Sequence, residues 1–215
     1  MLVYISMNQG IIMKNIEVFK NVSEITDKYD LGRHRFIDSG SEGRAFRIGD
    51  EIVKMYDKIP EISYQDVITI DDFNLKSFLF PKKLLLVDDK LVGYTTDYFP
   101  NDILTLVDDN PDNIYEIDLD NLRRSREVFL KDLKVLTDAG IYTVDMPFNL
   151  LYDGEVLKAI DTAKYKEFFS ASENKYSLDV GIRRYLKEFN LKYQTGSDYY
   201  IEDLKRRYGV KIYSK

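Results

Sequence analysis

The chain has no cysteine, no tryptophan, one histidine and only five prolines in 215 residues. Without cysteine there can be no disulfide, no thiolate zinc site and no cysteine nucleophile. That composition suits a reducing compartment, and a cytoplasmic location is expected. The lone histidine, His34, rules out a multi-histidine metal centre. It stands in the basic stretch Gly32-Arg33-His34-Arg35 and reads as a surface or strand-edge residue. No apolar run approaches the roughly 20 residues that span a bilayer. The opening Met1-Leu2-Val3-Tyr4-Ile5 lacks the basic start and cleavage site of a signal peptide, so no membrane partner is expected. Positive charge is in deficit, with a net charge of −6. That balance argues against a nucleic-acid partner, whose affinity would come mainly from neutralising phosphates. The basic clusters Arg123-Arg124-Ser125-Arg126 and Lys205-Arg206-Arg207 fall on expected helices and read as solvated faces.

What remains is an ordinary globular composition, 44% hydrophobic and 32% charged. Residues 1–30 read as an N-terminal extension with a short helix capped near Ser23. Strand signals dominate residues 31–100. They include the run Phe80 to Val87, turned by Asp88-Asp89-Lys90 into Leu91 to Thr96. A short helix is expected between Glu61 and Leu79. Asn101 to Asn113, rich in Asp and Asn, reads as a hinge or linker. In the helix-rich remainder, 101–215, Leu119, Leu122, Phe129, Leu133 and Leu136 form a core-facing stripe closed by Gly140. Two short helices are expected at the end, one capped by Ser177 and one running from Ser197 to Gly209. The fold class is α+β, an antiparallel sheet lobe followed by a small helical lobe.

The stretch Gly40-Ser41-Glu42-Gly43-Arg44-Ala45-Phe46 leads directly into Arg47-Ile48-Gly49-Asp50-Glu51-Ile52-Val53-Lys54. A Gly-Asp pair between extended runs signals a tight hairpin. If it turns at Gly49-Asp50, Lys54 falls opposite Ala45, two residues beyond Gly43. An ammonium group is then delivered to the edge of a glycine turn. Glycines there let backbone N–H groups approach an anion, and a lysine adds a point charge for phosphate. Polyphosphate binding is the chemistry such a hairpin suits.

A second hairpin is expected from Phe148 to Ile160, turning at Asp153-Gly154. If Tyr152 faces Glu155, Asp161 falls opposite Met146, beside Asp145, with Asn149 on the strand between. Oxygen donors of this kind suit Mg²⁺, which takes one or two carboxylates plus phosphate oxygens and water. The plainer alternative is that Asp145 caps a turn and Asp161 ends a strand, both exposed.

Taken in order, the glycine turn, the hairpin lysine, the linker, the long helix and the Asp, Asn, Asp series resemble the protein-kinase-like superfamily. That superfamily includes protein kinases and the aminoglycoside and choline phosphotransferases. Its glycine loop, G-x-G-x-x-G-x-V, is matched by Asp38-Ser39-Gly40-Ser41-Glu42-Gly43-Arg44-Ala45, with Asp38 in place of the first glycine. The third-strand lysine is matched by Lys54. The resemblance implies a two-lobed fold, ATP and Mg²⁺. It implies that Gly40, Ser41, Gly43 and Lys54 bind the phosphates. Asp97-Tyr98-Phe99 would hold adenine, Asp97 and Phe99 among them, with Thr96 behind it. The H-R-D loop followed by Asn is matched by Thr143-Val144-Asp145 and Asn149, one residue shorter than in the family. The resemblance therefore makes Asp145 and Lys54 the catalytic pair and Asn149 and Asp161 the metal ligands. Asp161-Thr162-Ala163 stands where the family has D-F-G. Glu61 or Asp66 would be the acid that pairs with Lys54.

The implied activity is transfer of the ATP γ-phosphate to a hydroxyl of a protein or small molecule. Three alternatives stay open: a pseudokinase that binds nucleotide without turnover, a kinase-like enzyme that transfers AMP, and a structural or interaction protein that binds no nucleotide.

Overall fold

The computed structural model describes residues 3–6, 11–33, 35–40, 42–109, 117–168 and 170–193. It divides into two units, Met1–Pro100 with Asp161–Lys166, and Asn101–Ile160 with Glu167–Lys215. The strands and helices, in chain order, are β1 (Val3–Ser6), β2 (Ile11–Lys14), β3 (Ile16–Phe19), α1 (Val22–Lys28), β4 (Arg35–Gly40), β5 (Gly43–Ile48), β6 (Glu51–Tyr56), β7 (Lys83–Val87) and β8 (Lys90–Asp97). They continue as α2 (Ile103–Asp109), α3 (Leu119–Asp138), β9 (Ile141–Tyr142), β10 (Leu150–Tyr152), β11 (Leu157–Ala159), β12 (Lys166–Glu167) and α4 (Asn174–Tyr193).

The first unit is built on a six-stranded sheet of order β3-β7-β8-β6-β5-β4. All its neighbours are antiparallel except β3, which lies parallel to β7. Period-two alternation sorts its side chains onto two faces. On one, Val53, Met55, Leu85 and Val92 pack with Ile25 of α1 and with Leu31. On the other, Leu84, Leu86, Leu91 and Tyr94 pack with Ile16, Val67 and Ala163. Lys54 and Tyr56 follow the second face, because they alternate with Val53 and Met55. Helix α1 is capped two residues before the expected Ser23, at Asn21, whose Oδ1 accepts from Glu24 N at 3.1 Å.

Two glycines fix the position of β6. A Cβ on Gly43 would run into the carbonyl of Met55, and one on Gly93 into the carbonyl of Lys54. Each allows a neighbouring strand to press against the backbone that carries the lysine.

The helix expected between Glu61 and Leu79 does not form; residues 57–82 run as turns and extended segments. Its weak apolar periodicity gives no continuous face to bury. A lysine takes over the tie to the core. Lys14 is 2% exposed, and its ammonium donates to Gln65 O at 2.7 Å and to Val67 O, with Asp72 Oδ2 at 3.7 Å. Burial lowers the Lys14 pKa, against the opposing pull of Asp72.

The second unit holds α3 against the small β10–β11 hairpin and α4. Asp118 caps α3 through Asp120 N and Asn121 N, and Leu122, Phe129, Leu133 and Leu136 are buried as the stripe requires. The expected linker contains a helix instead, α2. Asp102 just ahead of it is buried, accepting from Tyr152 N at 2.8 Å and Tyr185 Oη at 2.6 Å. The polar composition of that stretch reflects a helix start. Helix α4 begins at Asn174, so Ser177 lies inside it, while Leu178, Ile182, Tyr185 and Phe189 are buried as expected. The helix expected from Ser197 to Gly209, His34 and the Lys205-Arg206-Arg207 cluster lie outside the described residues.

Replacing Lys14 with methionine would keep the apolar stem and leave the Gln65 and Val67 carbonyls without their donor. We expect a loss of about 2 kcal/mol, the cost of unpaired buried acceptors. Urea unfolding of the variant measures it, and an unchanged midpoint would show that the lysine does not hold the segment.

Candidate functional site

The first hairpin has the expected register. It turns at Gly49-Asp50, with Gly49 at φ +60°, and pairs Ile48 with Glu51 and Ala45 with Lys54. Gly40 pairs with Gly43 across the β4–β5 turn. Ser41, expected to touch phosphate, lies outside the described residues. One strand further on, Lys54 stands opposite Tyr94.

Asp161 begins a segment fastened to the first unit. Thr162 Oγ1 donates to Leu79 O at 3.1 Å, Ala163 is buried in the core, and the Tyr165 ring meets Phe78 and Phe80 edge-on. Thr96, expected behind an adenine, places its hydroxyl 3.1 Å from both Leu79 O and Phe80 O. The same 79–80 backbone thus positions the end of β8 and the residues after Asp161. Asp161 itself sits at φ +55°, a left-handed conformation that Asp tolerates better than most residues.

Held there, Asp161 forms an ion pair with Lys54. Tyr94 Oη donates to the same carboxylate oxygen, Oδ1, at 2.9 Å. The ammonium also lies over two rings, 5.9 Å from the centroid of Tyr56 and 6.0 Å from that of Tyr94. The side chains of Lys54 and Asp161 are 17% and 18% exposed, so the pair is shielded without being sealed. Burial, with Asp161 beside it, raises the pKa of each tyrosine well above the ordinary phenol value. Both therefore remain neutral donors at any physiological pH.

Neither Glu61 nor Asp66 pairs with Lys54; its acid among the described residues is Asp161. Asp97 is exposed, and its carboxylate accepts from Lys82 Nζ at 2.9 Å, while Lys82 also reaches Glu51 at 2.7 Å. Next to it, Tyr98 N donates to Asp50 O at 2.9 Å and its ring carries the Arg47 guanidinium at 3.9 Å. Phe99 is half-buried.

Asp145 and Asn149 belong to the second unit. Asp145, at φ +59°, precedes a single 3-10 turn over Met146–Phe148. Its carbonyl accepts from Phe148 N at 2.9 Å and from Asn149 Nδ2 at 3.1 Å, so the carboxamide clips the loop shut. The hairpin that follows departs from expectation. Tyr152 pairs with Leu157, not Glu155, which makes Asp153 to Val156 a four-residue loop. Asp153 Oδ1 accepts from Glu155 N at 2.9 Å and Val156 N at 2.7 Å, an Asx turn that favours the longer loop. The ladder is therefore displaced by two residues, and Asp161 does not fall opposite Met146. Asn149 O instead accepts from Ile160 N at 3.0 Å, one residue before Asp161.

Tyr94 and Tyr56 were not legible as site residues. Tyr56 follows Lys54 at strand spacing, and Tyr94 is fixed by counting the β6–β8 register. Only the position of a strand distant in sequence makes the second count possible.

No protein-family model matches the chain, and no curated protein sequence does. Solved structures similar to it include the BubR1 kinase domain, at 16% identity and a TM-score of 0.40, over 62% of this chain and 46% of that one. The Legionella pneumophila Lpg2603 kinase bound to IP6 is similar at 20% identity and a TM-score of 0.45, over 75% and 61%. A twitchin kinase fragment of C. elegans is similar at 16% identity and a TM-score of 0.49, over 72% and 36%. The chain thus spans between 36% and 61% of the structures it resembles. The likeness is one of fold, protein-kinase-like in each case, and says nothing of this chain's chemistry.

Changing Tyr94 to phenylalanine removes one donor from Asp161 and nothing else from the ring. A hydrogen bond to a charged group is worth about 1.5–3 kcal/mol, and we expect a loss in that range. Chemical denaturation reads it, and a loss below about 0.5 kcal/mol would mean the phenol does not support the carboxylate.

Proposed function

We propose that the chain is an ATP-dependent phosphotransferase that moves the γ-phosphate to a hydroxyl group of a protein or small molecule. The observation that carries this reading is the Lys54–Asp161 ion pair, set on one sheet face beside the Gly40–Gly43 turn. A shielded cation next to a glycine turn is what a polyphosphate needs. A carboxylate next to that cation is what a phosphate-bound metal needs.

In this reading the backbone at Gly40, Ser41 and Gly43 covers the phosphates. Lys54 transfers its contact from Asp161 to a phosphate oxygen. Asp97 and Phe99 hold adenine through backbone groups. Asp145 orients the acceptor hydroxyl and takes its proton as the new P–O bond forms and the bond to the ADP oxygen breaks. Positioning and electrostatics supply most of the acceleration in such chemistry.

In this reading Asp161 and Asn149 supply oxygen donors of the kind Mg²⁺ takes. Asp161 offers a carboxylate, and both its donors address Oδ1. Asn149 commits its amide nitrogen to Asp145 O, which leaves its oxygen as the atom for a cation. Magnesium, when bound, neutralises charge on the phosphates. Asp161 and Asn149 would be its protein ligands.

A second reading is favoured by one observation: residues 57–82 form no helix, and neither Glu61 nor Asp66 orients Lys54. A pseudokinase that binds nucleotide without turnover needs no such acid.

Mg-ATP is expected to raise the melting temperature of the full chain by several degrees, as ligand well above its dissociation constant does. Lys54→Ala and Asp161→Asn should each lose most of that shift. Label should pass from γ-labelled ATP to an acceptor, and Asp145→Ala should abolish it. A melting temperature unmoved by ATP or ADP would refute nucleotide binding. A shift without transfer would favour the pseudokinase, and transfer from the α-position alone would mark an AMP transferase.

A further inference from the structure

The glycine turn carries an acid where a phosphate-binding turn gains nothing from one. Glu42 lies between Gly40 and Gly43, and its carboxylate forms an ion pair with Lys164. Lys164 closes the 3-10 turn that starts just after Asp161. Backbone pairing places this contact at the Lys54 site. Gly43 is the ladder partner of Tyr56, and Asp57 N donates to Glu42 O at 3.0 Å. On the outer side, Arg44 Nε reaches Asp57 Oδ1 at 3.1 Å and fixes the same end of the strands.

Four charges are therefore gathered around one sheet end, Lys54 with Asp161 and Lys164 with Glu42. One further atom stands among them. The hydroxyl of Tyr56 is buried and has no hydrogen-bond partner among the described residues. A buried hydroxyl left unpaired costs about 1–3 kcal/mol, and such groups occur where a ligand supplies the missing partner. Burial raises its pKa, and the charges of Asp161 and Glu42 act in the same direction. The phenol thus stays a donor and suits an oxygen anion.

Building on the phosphotransferase reading, we propose that Lys164 is a second phosphate-binding cation, and that Glu42 is its stand-in anion while no nucleotide is bound. The geometry makes the exchange local. A phosphate arriving under the glycine turn meets Lys164 already held at the turn by a carboxylate of the same charge sign. Displacing Glu42 frees Lys164 for the phosphate. Glu42 then acts against nucleotide binding and Lys164 for it, although the two are partners in one ion pair.

That opposition is the test. Titration calorimetry with ATP and with adenosine, on the full chain, compares wild type, Glu42→Gln, Lys164→Gln and Lys164→Arg. Glu42→Gln should tighten ATP binding about threefold or more, by removing the competing anion. Lys164→Gln should weaken it about tenfold, by removing a charge-assisted phosphate contact. Lys164→Arg should keep most of the affinity, which covers the case where Lys164→Gln folds poorly. Adenosine binding should be unchanged throughout. If both neutral variants weaken ATP, or neither alters it, the pair is a structural clasp and this proposal falls while the phosphotransferase reading stands. Wild type that binds neither ATP nor adenosine overturns both.

Discussion

The ion pair of Lys54 with Asp161 is the contact around which the first unit is arranged. Its members are far apart in the chain, and three separate devices bring them together. Gly43 and Gly93 let β5 and β8 close on β6. The hairpin at Gly49-Asp50 sets which face Lys54 takes. The Thr162 hydroxyl, with Ala163 and the Tyr165 ring, fastens the residues after Asp161 to the 78–80 segment. Partly desolvated charges are costly unless paired and hydrogen-bonded. The Tyr94 hydroxyl and two ring faces meet that requirement. Pulling Asp161 out would leave a shielded ammonium with only π-faces for company.

The irregular stretch between β6 and β7 changes what Asp161 must do. A helix there could present an acid to Lys54, leaving the aspartate for a metal. Here the segment is tied down by a lysine from β2, and its acids are directed elsewhere. Asp72 turns toward Lys14 and accepts from Thr69 N at 2.7 Å. One carboxylate, that of Asp161, therefore orients the lysine, and in the proposed function it would also have to hold the metal. The two tasks would compete, since a metal on Asp161 would weaken its hold on Lys54. A nucleotide that brings both phosphate for the lysine and metal for the aspartate would satisfy the two at once.

The part of this arrangement legible in the sequence was the part set by short-range turns. Gly49-Asp50 fixes a register by itself, because a two-residue turn leaves the ladder no slack. The α3 stripe was legible for a similar reason, its burial period being carried on one helix. Asp153-Gly154 looked equivalent and was not. The side chain of Asp153 captures two backbone N–H groups and lengthens the loop, which displaces every pair counted from it. Asp102 misled in the opposite sense, since a polar stretch that suggests a linker also supplies a buried helix cap, Asp102 Oδ2 accepting from Thr105 N at 3.3 Å. Tyr94 was hidden because its role depends on strand order, which spacing along the chain does not reveal.

The glycines of the turn illustrate how one residue type answers to two constraints. Gly43 is required by the Met55 carbonyl whether or not a phosphate ever arrives. Its presence is therefore weak support for nucleotide binding when taken alone. The stronger signs are groups that the fold does not need. Glu42 and Lys164 meet in an ion pair at the turn, and the buried Tyr56 hydroxyl has no hydrogen-bond partner among the described residues. Only the Tyr56 hydroxyl among them is buried, and an apolar ring there would leave no polar atom unpaired. The proposed anion would supply that hydroxyl with the partner it lacks.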